Sequence, residues 1–186
     1  KTEKPVDPEF VELREKWLNN LLGGTLDTGN QAVVTYITGL DEKAGEYWSS
    51  MIKSDDASRT NLWSDLDMSY IAGTGANAKV HSGNVAQTFY RLKDMAIAWA
   101  TEGCVLYQND ELKEELIRAL DFMNENHYSS SDDKTPFFGN WWHWEIGGPI
   151  AFMDTALILY DDLTLKQITN YAAAVNRFTN VCDKPS

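Results

Sequence analysis

The sequence predicts an all-α fold, a layered array of helical hairpins, on three observations. Apolar side chains recur at i, i+3, i+4 and i+7 through successive segments, the spacing that lines one face of a helix. Glycine, proline and short polar clusters interrupt that pattern between segments, and no stretch alternates apolar and polar residues between hairpin turns, as a half-buried strand would. Several segments carry a second apolar or aromatic strip, which suits helices with neighbours on two sides better than a simple four-helix bundle. No internal sequence period is evident, and helical periodicity alone does not separate a toroid from a solenoid.

The first helix is expected over residues 8–22, where Phe10, Leu13, Trp17 and Leu21 share a face and Gly23-Gly24 supplies the stop. A second runs from Asn30 to Ile52, with Val33, Ile37, Leu40, Ala44, Met51 and either Tyr47 or Trp48 in one stripe. After the polar stretch 53–60, Ser58-Arg59-Thr60-Asn61-Leu62-Trp63 opens a short third helix that fades by Gly73. Residues 73–84, rich in Gly, Ala and Asn, read as a connector; their Gly-Thr-Gly lacks the preceding strand and the following Gly-Lys-Ser/Thr of a phosphate loop. Val85, Phe89, Leu92, Ala96 and Trp99 define a fourth helix from Ser82 to Glu102. Asp110 caps a fifth, in which Leu112, Leu116, Leu120 and Met123 face inward while Glu114, Glu115 and Asn124 face water. Ser129 to Thr135 is a polar loop closed by Pro136. A sixth helix starts at Pro149, carries Met153, Leu157 and Tyr160, and ends at Asp161-Asp162; Thr164 caps a seventh with Leu165, Ile168, Ala172, Val175 and Phe178.

With 186 residues, 43% of them hydrophobic, the chain can build one domain with a real core. Its formal charge of -12 opposes extended contact with nucleic acid or an anionic membrane surface, both of which require clustered Lys and Arg. No apolar run is long enough to span a bilayer, and the N-terminus lacks the apolar core of a signal peptide, so the segment is expected to be soluble or to have lost its signal. Cys104 and Cys182 stand far apart, without metal-ligand spacing. They either close a large loop, contributing about 4 kcal/mol through the unfolded state, or remain two buried thiols. Neither a metal nor a cofactor is expected: Asp55-Asp56, Asp132-Asp133 and Asp161-Asp162 lack the alternating ligand spacing of a calcium loop and read as solvated turns.

The densest chemical signal is Asn140-Trp141-Trp142-His143-Trp144-Glu145-Ile146-Gly147-Gly148-Pro149, with three of the seven tryptophans in four positions. Adjacent Trp141 and Trp142 must point in different directions, so at least one is expected at the surface. An exposed indole beside an amide and an imidazole suits carbohydrate, because the apolar face of a pyranose stacks on the ring while Asn and His bond its hydroxyls. The competing expectation is that all three rings staple a loop to the core. Asn140 either bonds a substrate carboxylate or hydroxyl or caps the loop before the helix, and His143 either faces a cleft or supports the loop. Glu145 is assigned to the positive end of that helix, and Arg59 to a buried ion pair.

That stretch, with Leu157-Ile158-Leu159-Tyr160-Asp161-Asp162 after it and Leu13-Arg14-Glu15-Lys16-Trp17, Gly23-Gly24, Ser58-Arg59-Thr60-Asn61-Leu62-Trp63 and Tyr90-Arg91-Leu92-Lys93-Asp94-Met95-Ala96 before it, resembles the polysaccharide lyase family of hyaluronate, chondroitin AC and xanthan lyases. The agreement in order and spacing extends from residue 8 to residue 180, and His143-Trp144 is closer to the xanthan lyase form. The resemblance implies that residues 1–186 are the N-terminal part of an incomplete α/α toroid whose cleft binds an acidic polysaccharide. It places Asn140, Trp141, Trp142 and His143 in the substrate-binding aromatic patch, and implies a secreted bacterial enzyme acting by β-elimination. The family's catalytic Asn, His and Tyr fall beyond Ser186, so no catalytic residue is assigned here, the remainder of the lyase chain is an expected partner, and the segment alone is expected to be inactive. The alternative is a non-catalytic carbohydrate-binding helical module. An α/α-toroid glycoside hydrolase would need two carboxylates across the scissile bond, a pairing the sequence does not reveal.

Overall fold

An acceptor side chain followed by a proline with no amide to satisfy starts the first helix. Asp7 accepts the Glu9 amide at 2.9 Å, and Pro8 opens α1 (Pro8–Leu22). The computed structural model describes residues 4, 7–131 and 136–179. Within them follow α2 (Gln31–Ser50), α3 (Ala76–Ala100), α4 (Asp110–Asn126), a π turn (His143–Gly147) that runs into α5 (Gly148–Ile158), and α6 (Leu165–Thr179). No strand occurs among the described residues, and no helix there is long and apolar enough to cross a membrane.

α3 is the spine. Its expected stripe of Val85, Phe89, Leu92, Ala96 and Trp99 is buried throughout, and it packs against α1, α2, α4 and α5. α4 presents Leu112, Leu116, Leu120 and Met123 to the core, all fully buried. Between α3, α5 and α6 the core is aromatic: Phe89 lies 4.9 Å from Phe152, Tyr128 4.3 Å from Phe178, and Trp144 5.2 Å from Phe178, ring centre to ring centre. Such fully buried rings dominate core energetics.

Four expectations need correction. Residues 53–75 form turns rather than a short third helix, because local side chains capture the backbone: Asp56 accepts from both the amide and the hydroxyl of Ser58, Asp67 does the same with Ser69, and the Asn61 side-chain Oδ1 accepts from the Met68 amide at 3.0 Å. Leu62 and Trp63 are still fully buried, with the indole N–H donating to the Tyr47 carbonyl. The fourth expected helix, α3, begins at Ala76 rather than Ser82; the small residues read as a connector are helical, and Ala78 and Ser82 are buried under the loop that contains Gly139. Glu115 and Asn124 do not face water. Glu115 is 3% exposed, paired with Arg59 at 2.8 Å and accepting from the Ser54 hydroxyl, and the Asn124 amide donates to the Tyr128 carbonyl. Finally, the helix cap is Asn109, not Asp110.

Smaller shifts follow from where each helix finds its neighbours. α1 buries no residue: Leu13 and Trp17 are exposed by about half, and Leu18, Leu21 and Leu22 make its contacts with the core. On α5, Phe152 and Ala156 are buried while Met153 and Leu157 line a shallow apolar groove with Trp17. On α6, Tyr171, Ala174 and Phe178 are the buried positions; Thr164 caps the helix as expected from the sequence, and Gln167 returns the bond to the Thr164 amide. Arg59 forms the buried pair assigned to it, Asp161 holds Arg14, and Asp162 holds Lys113. Cys104 is a buried free thiol, its pKa pushed up to about 11 by burial and by Asp41. Cys182 and Asp132-Asp133 lie outside the described residues.

Candidate functional site

Two backbone amides fasten the Asn140 stretch, one to the turn before α3 and one to the first turns of α3. The Gly139 amide donates to the Gly73 carbonyl at 2.8 Å, and the Asn140 amide donates to the Ser82 hydroxyl at 3.1 Å. Asn140 then begins a helix: its side-chain oxygen accepts from the Trp142 amide at 3.2 Å and its carbonyl from the His143 amide at 3.2 Å. Asn140 thus caps a helix that starts at Trp141 rather than the loop before one at Pro149, and the cap occupies only the amide oxygen. Nδ2 has no partner among the described residues and is not buried, so it remains a donor to solvent or ligand.

Helical structure starts at Trp141, eight residues before the expected Pro149, and widens into a π turn in which the Gly148 amide donates to the His143 carbonyl. The widening falls just ahead of Pro149, which has no N–H and whose ring would clash with the carbonyl four residues back in a regular helix. It also sorts the tryptophans. Trp144 is 1% exposed, its indole N–H donating to the Phe138 carbonyl at 2.6 Å and its ring stacked on Tyr128 and Phe178. Trp141 and Trp142 are 57% and 41% exposed. Only one of the three rings is a staple.

Trp142 leans on the bare backbone of Gly147, five residues along, where an added methyl would run into the indole and the Tyr90 hydroxyl. His143 stands edge-on to Trp142, with ring centres 5.7 Å apart, and its Nε2 faces Gly83 of α3. Two half-exposed indoles, a free amide N–H and a half-buried imidazole thus follow one another at the start of this helix. Ser82, Tyr90 and Gly147 are the supporting residues that sequence reasoning missed. Tyr90 and Gly147 lay in stretches singled out by the sequence, without a role assigned to either, and Ser82 was read only as the start of a helix.

Proton-transfer chemistry is poorly served by the histidines. His81 and His127 each place a ring nitrogen on a backbone carbonyl, of Ser69 and Thr60. His143 has Nδ1 buried without a partner. Burial pushes both His127 and His143 below the ordinary value of 6.5. A histidine depressed in this way takes up a proton more readily unfolded than folded. The stability it contributes is complete above about pH 6.5 and is lost as pH falls through that value toward the folded pKa. The urea midpoint is expected to be level from about pH 8 to 7 and to fall between about pH 6.5 and 5, and His143→Gln with His127→Gln should flatten the fall. A level midpoint in the parent chain through that window would show that neither ring is held neutral. Asp65 and Asp67, held low by Arg91 and by Ser69, act only below their ordinary 3.8 and leave that window clear.

The profile of the N-terminal alpha-helical domain of polysaccharide lyase family 8 matches residues 17–184. The chain belongs to this family. Xanthan lyase of Bacillus sp. (strain GL1) is 36% identical over 172 residues, covering 92% of this chain and 17% of that protein. Hyaluronate lyase HylB of Enterococcus faecalis is 32% identical over 171 residues, 91% of this chain and 15% of its own length. Among solved structures, Paenibacillus xanthan lyase matches with a TM-score of 0.82 at 34% identity, over 98% of this chain and 16% of that one. Streptomyces coelicolor chondroitin AC lyase in complex with chondroitin sulphate matches with a TM-score of 0.75 at 26% identity, over 92% and 21%. The family 8 fold is thus all-helical here, the N-terminal part of an incomplete α/α toroid, and the chain spans less than a fifth of the length of the two relatives.

Proposed function

We propose that this chain is the N-terminal helical part of a secreted lyase that cleaves a uronic-acid-containing polysaccharide, xanthan or else hyaluronan or chondroitin, by β-elimination. Asn140, Trp141, Trp142 and His143 are its aromatic substrate-binding patch. The observation that carries this reading is the division of labour among the tryptophans: Trp144 anchors the helix start while Trp141 and Trp142 stay half exposed beside it. A pyranose face stacks on an indole, and the Asn140 Nδ2 and the His143 ring can bond its hydroxyls.

β-Elimination next to a uronate requires neutralising the carboxylate, removing the C5 proton and protonating the leaving oxygen, each by a group within hydrogen-bond reach. His81 and His127 are engaged with backbone carbonyls and His143 is half sunk at the patch, so this segment holds and guides the chain while proton transfer belongs to the rest of the lyase. Incubation with each polysaccharide, followed by absorbance of the unsaturated uronate, should show product with the complete lyase and none with the 186-residue chain alone. Product from this chain alone would place acid-base residues within it and overturn the assignment. Titration with a uronate oligosaccharide, read by tryptophan fluorescence, should show Trp141→Ala or Trp142→Ala weakening binding by about five- to ten-fold at a nearly unchanged thermal midpoint. Sugar binding with no product from the complete protein would instead describe a non-catalytic carbohydrate module.

A further inference from the structure

A chain of charge -12 repels a polyuronate at long range, so attraction comes from the rest of the lyase or from a local cation that is free to meet the substrate. Most of the candidates are committed elsewhere. Arg14, Arg59, Arg91 and Arg118 each hold a carboxylate, and Lys93, on α3 beyond Tyr90, points to Asp154. Lys79 is different. It is exposed, and its ammonium has neither a hydrogen bond nor an ion pair among the described residues.

Its position on α3 matters as much as its freedom. Ser82 turns toward Gly139 and holds the Asn140 amide, whereas Gly83 turns toward the His143 ring. At ~100° per residue, position 79 lies in the sector between Ser82 and Gly83, one turn nearer the helix start. A side chain there leaves α3 between the residue that holds the Asn140 amide and the one that faces the His143 ring. Lys79, Gly83 and Tyr90 follow one another along this side of the helix, and Gly83 and Tyr90 already meet His143 and the Trp142–Gly147 contact. The flexible four-carbon stem of lysine can carry its charge toward the patch while leaving the indole faces open.

We propose that Lys79 is the charge-recognition residue of the patch, pairing with the carboxylate of the uronate next to the sugar stacked on Trp141 or Trp142. This rests on the carbohydrate reading of those rings. It gives the patch a preference that stacking alone lacks, because any pyranose can stack but only an acidic one pairs with the ammonium.

The test compares a chondroitin octasaccharide with its carboxyl-reduced form, binding to this chain and to Lys79→Ala, Lys79→Arg and Trp141→Ala/Trp142→Ala variants, again by tryptophan fluorescence. Lys79→Ala should bind the acidic ligand about three- to five-fold more weakly and the reduced ligand as well as the parent does. Lys79→Arg should restore the preference, and about 0.5 M salt should erase it. Equal losses for both ligands, or no loss with the acidic one while the tryptophan variant still loses binding, would overturn the role of Lys79 and leave the patch standing. Acidic-ligand binding that is absent in the parent, or indifferent to the tryptophan variant, would overturn both.

Discussion

Trp144→Ala should lower stability by roughly 3–5 kcal/mol, the cost of emptying a fully buried aromatic site, and bring the thermal midpoint down by about 10 °C. The indole is stacked on Tyr128 and Phe178, meets Phe138 edge-on at 5.3 Å, and satisfies the buried Phe138 carbonyl through its N–H. Truncation removes the ring contacts and leaves that carbonyl without its donor. Trp144→Phe keeps most of the stacking and loses only the hydrogen bond and part of the volume, so its loss should be about 1–2 kcal/mol. Trp141→Ala, three residues away, removes a ring that is more than half exposed and should shift the urea midpoint little. Comparable destabilisation by Trp141→Ala and Trp144→Ala would mean that both rings are structural, and the proposed patch would lose its basis.

The contrast between these neighbours shows what the sequence could reveal. Adjacent large rings cannot share a face, so an exposed tryptophan was expected; which of the three are exposed depends on a π turn just ahead of Pro149, which the spacing of the rings does not announce. The Asn140 cap was obscured for the same reason, since it requires the helix to begin at Trp141. α1 and α4 were legible because their signals are local: Asp7-Pro8 and Gly23 bracket one, and four leucine and methionine positions line the other. The burial of Glu115 was not, because its partner Arg59 is 56 residues away in sequence. Likewise the first turns of α3 resemble a linker until Gly139, some sixty residues later, is seen resting on Ala78 and Ser82. Patterns within a helix are visible in sequence; reasons that reside in a distant contact are not.

That resting contact underlies the second large effect. Gly139→Ala should cost about 2–4 kcal/mol, since Gly139 has φ +71° and an added methyl would fall well inside contact distance of the Ser82 hydroxyl and the Ala78 carbonyl. The Ala78 oxygen belongs to helix backbone and cannot swing aside, so the loop must lift. Lifting it strains the Gly139 bond to Gly73 and the Asn140 bond to Ser82, which together set where Trp141 and Trp142 stand. Gly24 supplies the control: its φ is +63° but nothing lies within 4 Å of an added methyl. Gly24→Ala should therefore show the backbone strain alone, about 1 kcal/mol, and leave oligosaccharide affinity unchanged, whereas Gly139→Ala should weaken both stability and affinity. Urea denaturation and the fluorescence titration on the two variants measure this directly. Equal losses of stability at the two glycines, with affinity intact in both, would mean that close packing of the loop on α3 does not position the rings.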